Sequence, residues 1–162
     1  MTKSIGSAGA AKATGAAATT ETVADTLERE LQPLIEDWLY RVEQEPDLNC
    51  IPLNFEERTG HLPHLLHDII ERLRLDAETK APISKAAGHH ADLRRKQGYT
   101  VAMLVEESRL LQVTIFSTLH KNTNALEFSK LLPDVVTIAD AQMKEQMLRF
   151  MAADAAKLAK GK

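Results

Sequence analysis

Apolar residues recur at spacings of three and four along almost the whole chain, and this pattern restricts the fold more than any other feature. From Val23 the series Leu27, Leu31, Leu34, Ile35, Trp38 and Val42 keeps to one side of a 3.6-residue repeat. No stretch alternates with the period of two that a half-buried strand requires. Only 4% of the residues are aromatic. The core must therefore be built from Leu, Ile, Val, Ala and Met, a set that favours helices over strands. The spacing predicts an all-α, single-domain helical bundle of about five helices, and 162 residues suffice for one such core.

The first predicted helix runs from about Glu21 to Glu43 and contains Pro33. A proline inside a helix removes a hydrogen bond and clashes with the preceding turn. A kink, or a short leading helix before a main one, is expected there. Pro46, Asp47, Asn49 and Pro52 mark a loop, and Asn54 with Glu57 forms a capping pair opening a short turn before Gly60. The second main helix spans Leu62 to Leu75. The third starts near Pro82 and ends at Gly98, a residue suited to a left-handed cap. The fourth runs from Thr100 to about Lys121, with Val101, Leu104, Val105, Leu111, Ile115 and Leu119 inward. The fifth extends from about Ala125 to Ala155, bent or interrupted near Pro133.

Residues 1–20 are Ala, Gly, Thr and Ser with two lysines and no acid, and lack the apolar centre of a secretory signal. They are expected to be a disordered tail, followed by the helical domain over 21–156 and a frayed end over 157–162. No apolar run reaches the length of a membrane span. The net charge of −3 gives no electrostatic reason to expect nucleic acid or an anionic membrane as partner. The single cysteine, Cys50, permits no internal disulfide, which fits a reducing, cytoplasmic setting. It has no basic neighbour in sequence to make a thiolate.

His61, His64 and His67 have a spacing that invites a metal reading. At about 100° per residue they fan away from the Leu62, Leu66, Ile69 and Leu73 stripe, which makes them a solvated face. His89 and His90 differ from each other. With Ile83, Ala86, Ala87 and Leu93 taken as the inward face of the third helix, His90 and Arg94 fall inside it and His89 outside. A buried arginine needs a partner, because an uncompensated buried charge costs several kcal/mol. Glu107 flanks the apolar stripe of the next helix and Glu106 points away. Arg94 is expected to pair with Glu107, with His90 nearby, as a structural or sensing cluster.

Nothing suggests an enzyme. The chain has no Gly-x-Ser-x-Gly, no phosphate-cradling glycine loop and no pair of carboxylates sharing a cleft. No cofactor or metal is expected. Two rival classes are a haem or small-ligand binding globin-like protein, for which His120 is the available ligand, and a histidine phosphotransfer module. The string His90-Ala-Asp-Leu-Arg94 is similar to a phosphoacceptor box but lacks its proline, and an inward His90 opposes that use. Met143, Met147 and Met151 recur at four-residue spacing beside Phe150 on the last helix. They fit either core packing or a homodimer interface.

Trp38, the run Leu62-Pro63-His64-Leu65-Leu66, the string His90…Arg94…Gly98-Tyr99 and the pair Glu107…Leu111 follow one another in a known order. In that order the stretch from Trp38 to about Leu119 resembles the RsbRD-like N-terminal sensor domain (RsbT co-antagonist) of RsbR-type stressosome proteins. The same domain type also precedes some bacterial histidine kinases. The resemblance implies a globin-like or bundle-like domain without haem that dimerises and passes conformational change down its last helix to a signalling partner in the stress response. The phosphorylatable output domain of those proteins is absent from the sequence, as is a kinase core.

Overall fold

The computed structural model describes residues 21–75, 79, 83–127, 131–139 and 144–160. Among them the chain is all-α. Nine helical segments take the place of the five expected: α1 (Val23–Arg29), α2 (Leu31–Glu43), α3 (Pro46–Asn49), α4 (Phe55–Thr59), α5 (Leu62–Arg74), α6 (Lys85–Lys96), α7 (Val101–Lys121), α8 (Leu131–Ala139) and α9 (Glu145–Lys160). Local chemistry accounts for the larger number. Pro33 does not kink a long helix. The break falls at Glu30 (φ −92°, ψ 10°), and Pro33 becomes the third residue of α2. In a first turn its missing N–H would have had no partner anyway. Pro133 likewise sits in the first turn of α8, and the described residues of the last predicted helix fall into α8 and α9. The Pro46–Asn49 loop closes into a single helical turn.

The expected capping pair opens α4, and other helices carry caps that the sequence reading did not name. Asn54 accepts from the Glu57 N–H while Glu57 accepts from the Asn54 N–H, both at 2.9 Å, completing a capping box on α4. Thr22, Ser84 and Thr100 cap α1, α6 and α7 through their hydroxyls. Pro82 lies outside the described residues, as do the 1–20 tail and Met143. α9 remains helical to Lys160, beyond the end expected near Ala155.

Gly98 ends α6 at φ +90°. The Gly98 N–H bonds to the Arg95 carbonyl at 3.2 Å and the Tyr99 N–H to the Arg94 carbonyl at 3.0 Å. This is the Schellman arrangement, which needs a left-handed residue at that point. No atom lies within 4 Å of a Cβ built on Gly98, so the backbone angle alone restricts the position. Gly98→Ala is therefore expected to destabilise the fold by roughly 1–2 kcal/mol, read as a lowered urea midpoint at unchanged slope. A midpoint equal to the parent's would show that the chain does not turn left-handed there.

α7 is the central rod, roughly 31 Å long. It packs on α1, α2, α3 and α9, while α5 packs on α1, α6 and α8, and α6 lies along α9. Trp38, Val42, Leu48, Leu62, Leu66, Ile69, Leu104, Leu111, Ile115, Ile138 and Phe150 fill the core. Three expected core positions are wrong. Ile83 precedes α6 and is 87% exposed, so the inward face is Ala87, His90, Ala91 and Arg94. Val101 and Val105 are exposed as well. The buried face of α7 is rotated from the apolar stripe because Glu107, Ser108, Thr114 and Thr118 are all inside. Bonded polar side chains can hold such positions: Thr114 Oγ1 donates to the Leu110 carbonyl at 2.8 Å, and Ser108 Oγ donates to Gln146 Oε1 at 3.2 Å.

α6 and α9 run in the same direction. Glu145 at the start of α9 accepts from the Ser84 N–H at 2.6 Å and pairs with Arg72 of α5 at 2.9 Å. Further along, Arg149 pairs with Asp92 at 3.0 Å. The N-terminal end of the described chain is fastened separately. Glu21 makes a single parallel bridge with Leu126 beyond the end of α7. No helix of the described residues is long and apolar enough to cross a membrane.

Candidate functional site

The turn at Gly98 reverses the chain so that α7 starts beside the end of α6. Glu107, two turns into α7, then faces Arg94. Arg94 is fully buried and Glu107 is 2% exposed. Arg94 Nε donates to Glu107 Oε2 at 2.9 Å, and Nη2 meets Oε1 at 2.8 Å, a bidentate pair. The rest of the guanidinium is also used. Nη1 donates to the Gln97 side chain at 2.8 Å and to the Glu57 carbonyl at 3.0 Å, and Nη2 donates to the Arg58 carbonyl at 2.7 Å. A guanidinium has five N–H donors, and all five find acceptors. The two carbonyls belong to the last turn of α4, which has no intrahelical donors for them. One side chain thus neutralises a buried carboxylate and caps a helix end.

Tyr99 and His90 complete the carboxylate's shell. The Tyr99 hydroxyl donates to Glu107 Oε1 at 3.2 Å, and its ring lies 5.1 Å from the Arg94 guanidinium carbon. His90 Nε2 is 3.3 Å from Glu107 Oε2, and His90 is 3% exposed. Burial pushes the Glu107 carboxyl up, but the His90 hydrogen bond and the Arg94 charge outweigh it and hold it below the ordinary value. Burial, reinforced by the negative Glu107, pushes the Tyr99 phenol up to about 12, so it stays a donor. Arg58, itself buried, reaches the Tyr99 oxygen at 3.4 Å and the Ile51 carbonyl at 3.1 Å.

His61 departs from its expected place. It is 7% exposed rather than part of a solvated face, whereas His64 and His67 are exposed. Its ring stacks on His90 with centroids 4.3 Å apart and planes 20° from parallel. His61 is the residue before α5 rather than one inside it, so the helical wheel of α5 does not govern its side chain. Neither of its ring nitrogens has a hydrogen-bond partner among the described residues. Burial above all, with the nearby His90, Arg94 and His89 acting in the same direction, drives its pKa far below the ordinary histidine value, so the ring is neutral.

A small cavity of about 10 Å³, the space of one water, adjoins the cluster. Trp38, His90, Ser108 and Gln146 are among its walls. Trp38 Nε1, His90 Nδ1 and Gln146 Nε2 have no partner among the described residues. Gln146 belongs to α9, so the polar interior extends from α4 through α6 and α7 to the base of the terminal helix.

The remaining candidates are dispersed. Glu106 is turned away and pairs with Arg109 at 2.9 Å. His89 lines an open groove with Glu56, Glu57, His61 and His64, yet no three His, Cys, Asp or Glu side chains among the described residues are placed to hold a metal ion. Cys50 is exposed, its thiol 3.0 Å from the Asp47 carbonyl oxygen. His120 is exposed beside a 190 Å³ apolar groove formed with Phe116, Leu126 and Leu131, below the size of ordinary small-molecule pockets. On α9, Phe150 is a core residue at 2% exposure and offers no surface to a second chain. Met147 packs partly against the core, and Met151 is exposed. Phe150 turns inward because α9 lies on α6, which sorts the methionine stripe between core and surface.

The cluster's chemistry is that of a closed site. Its carboxylate and guanidinium are saturated, its phenol is held protonated, and none of them reaches solvent to meet a substrate. Sequence reasoning missed Arg58, His61, Gln97 and Gln146, none of which stands out by helical period. No family model, curated protein or solved structure matches this chain. The likeness to the stressosome sensor domains therefore rests on the residues named for it.

Proposed function

We propose that this chain is a non-enzymatic signal-transduction domain of the RsbRD-like sensor type, a globin-like domain without haem. In this reading it forms a homodimer in the cytoplasm of a bacterium, engages a stressosome-type or histidine-kinase signalling partner, and takes up no nucleic acid. The observation that carries the proposal is the connection between the buried cluster and the terminal helix. Glu107 is followed directly by Ser108, which bonds to Gln146 of α9, while His90 sits between Glu107 and the His61 ring. Buried ionic groups favour discrete alternatives over gradual deformation, because a partly broken network leaves a charge unpaired. A change in the cluster then selects between two settings of α9.

Two measurements test this. Light scattering of the purified chain is expected to give a dimer. Crosslinking in the source cell is expected to capture a kinase, a phosphatase or a STAS-domain protein. A chain that stays monomeric and crosslinks to no signalling protein sinks the proposal. A haem absorption band in the purified protein, or stable label on His90 from a phosphodonor, would replace it with one of the rival classes.

A further inference from the structure

The C-terminal ends of α6 and α9 lie side by side and enclose a surface groove of about 520 Å³. Arg95 and Lys96 stand on the α6 bank, and Arg149, Lys157 and Lys160 on the α9 bank. Among the described lining residues Asp92 is the one acid, and its carboxylate is engaged by Arg149. The protein as a whole carries a net charge of −3, so this is a local reversal of sign.

Pairing sets Arg95 apart. The other arginines, at 29, 41, 58, 72, 74, 94, 109 and 149, each hold an acceptor. Arg95 has none among the described residues, and its Nε is shielded from solvent without a partner. Lys96, Lys157 and Lys160 are exposed and make no ion pair among the described residues. Cations at a helix C-terminus complement its dipole, which accounts for having some there. It does not account for four that face one another across a groove without an acidic partner among the described residues.

The groove's form selects among anions. Its floor includes Ala152, Ala153 and Ala156, whose small side chains let another backbone approach. Both helices end here, so the free backbone groups are carbonyls. The N–H groups that hold phosphate at helix N-termini and nests are absent from this end. From Arg149 to Lys160 the α9 bank is roughly 16 Å long, about three helical turns and under half a turn of a nucleic-acid duplex. Lys157 and Lys160 are three residues apart, the interval at which a helix presents side chains on one face.

We propose that the α6–α9 groove is the docking surface for an acidic helical segment of a partner protein. Carboxylates of that segment engage Arg95 and Lys96 on one bank and Lys157 and Lys160 on the other. The proposal rests on reading the chain as a partner-binding domain and gives that partner its chemistry.

The test is titration of a short synthetic helix, with Glu at every third and fourth position, into the isotopically labelled full chain at about 50 mM salt. Amide shifts are expected to concentrate on α6 and α9 around the groove. The same helix with Gln for Glu is expected to give none. A triple variant, K96E/K157E/K160E, changes only exposed side chains and should fold as the parent does, checked by its unfolding midpoint. It is expected to weaken binding about tenfold or more. No shifts at the groove, equal binding of the Gln helix, or undiminished binding by the triple variant overturns the proposal. Tighter binding there of a DNA oligonucleotide or of phosphatidylserine vesicles also overturns it, in favour of a phosphate ligand. Failure here is separable from failure of the functional reading. If cellular crosslinks to a signalling protein survive the triple variant, the groove is wrong and the function stands. If the groove binds the Glu helix but no signalling protein crosslinks, the function is wrong and the groove stands.

Discussion

Replacing Arg94 with methionine is expected to destabilise the protein by about 3–5 kcal/mol, the loss that follows when one partner of a buried ion pair is removed. The substitution leaves Glu107 buried with only Tyr99 and His90 as partners, takes the donor from the Arg58 carbonyl, and leaves the Glu57 carbonyl with the longer Gln97 bond at 3.3 Å. For a chain of this length the melting temperature should fall by roughly 6–20 °C. The second variant of the cycle is the informative one. With both charges removed, in R94M/E107M, most of the stability should return, because an apolar pair can replace a buried ion pair at little net cost. A deficit of about 1–3 kcal/mol should persist from the uncapped end of α4. Urea unfolding of the four proteins gives the coupling directly. A loss under about 1 kcal/mol in R94M, typical of exposed pairs, would show that the guanidinium is not buried against the carboxylate. Dimer formation followed in parallel separates a purely structural cluster from one that also sets the interface.

Acidification should destabilise the protein in two separate steps, and His61 accounts for the first. Its folded pKa lies far below the ordinary 6.5, chiefly because the ring is buried. Below pH 6.5 the unfolded chain takes up a proton that the folded chain refuses. The contribution is therefore complete above about pH 6.5 and is lost as pH falls, at about 1.4 kcal/mol per pH unit, or roughly 2 kcal/mol by pH 5. Glu107 acts in a lower window. Its folded pKa is held beneath the ordinary 4.5, so its contribution is present above that value and declines below it. Between pH 6.5 and 4.5 the slope assigned here belongs to His61. Phenylalanine at 61 preserves the stack on His90 and cannot take up a proton. His61→Phe should flatten the dependence of the urea midpoint between pH 7.5 and 5 and leave the decline below pH 4.5 in place. Parallel pH profiles for the two proteins would show that His61 is not buried and neutral.

These two residues mark where the sequence was readable and where it was not. Arg94 was legible because a strong constraint applies to it. A guanidinium on the inward side of an amphipathic helix requires a carboxylate, and Glu107 alone was inward at a suitable place on the following helix. His61 was not legible, because it lies one residue outside α5, where helical period carries no information about direction. Ile83 failed for the same reason at the start of α6. Of the expected inward face of α7, Leu104, Leu111, Ile115 and Leu119 are buried and Val101 and Val105 are not, because hydropathy gives no credit to Ser108, Thr114 and Thr118. Thr114 and Ser108 are held inside by hydrogen bonds that depend on the neighbouring turn and on Gln146.

Local sequence by itself determined the all-helical class, the caps at Thr22, Asn54 and Thr100, and the left-handed stop at Gly98. Each is set by interactions within a few residues, so the chain need not be folded for them to be specified. It also required that Arg94 be neutralised. Only the tertiary structure decided that this guanidinium would also cap α4, that His61 would lie against His90, and that Phe150 would turn to the core while Met151 faced outward. Those outcomes follow from how the rods are laid against one another. That arrangement is fixed by packing and by the satisfaction of buried polar groups across residues far apart in the chain, which no local period records.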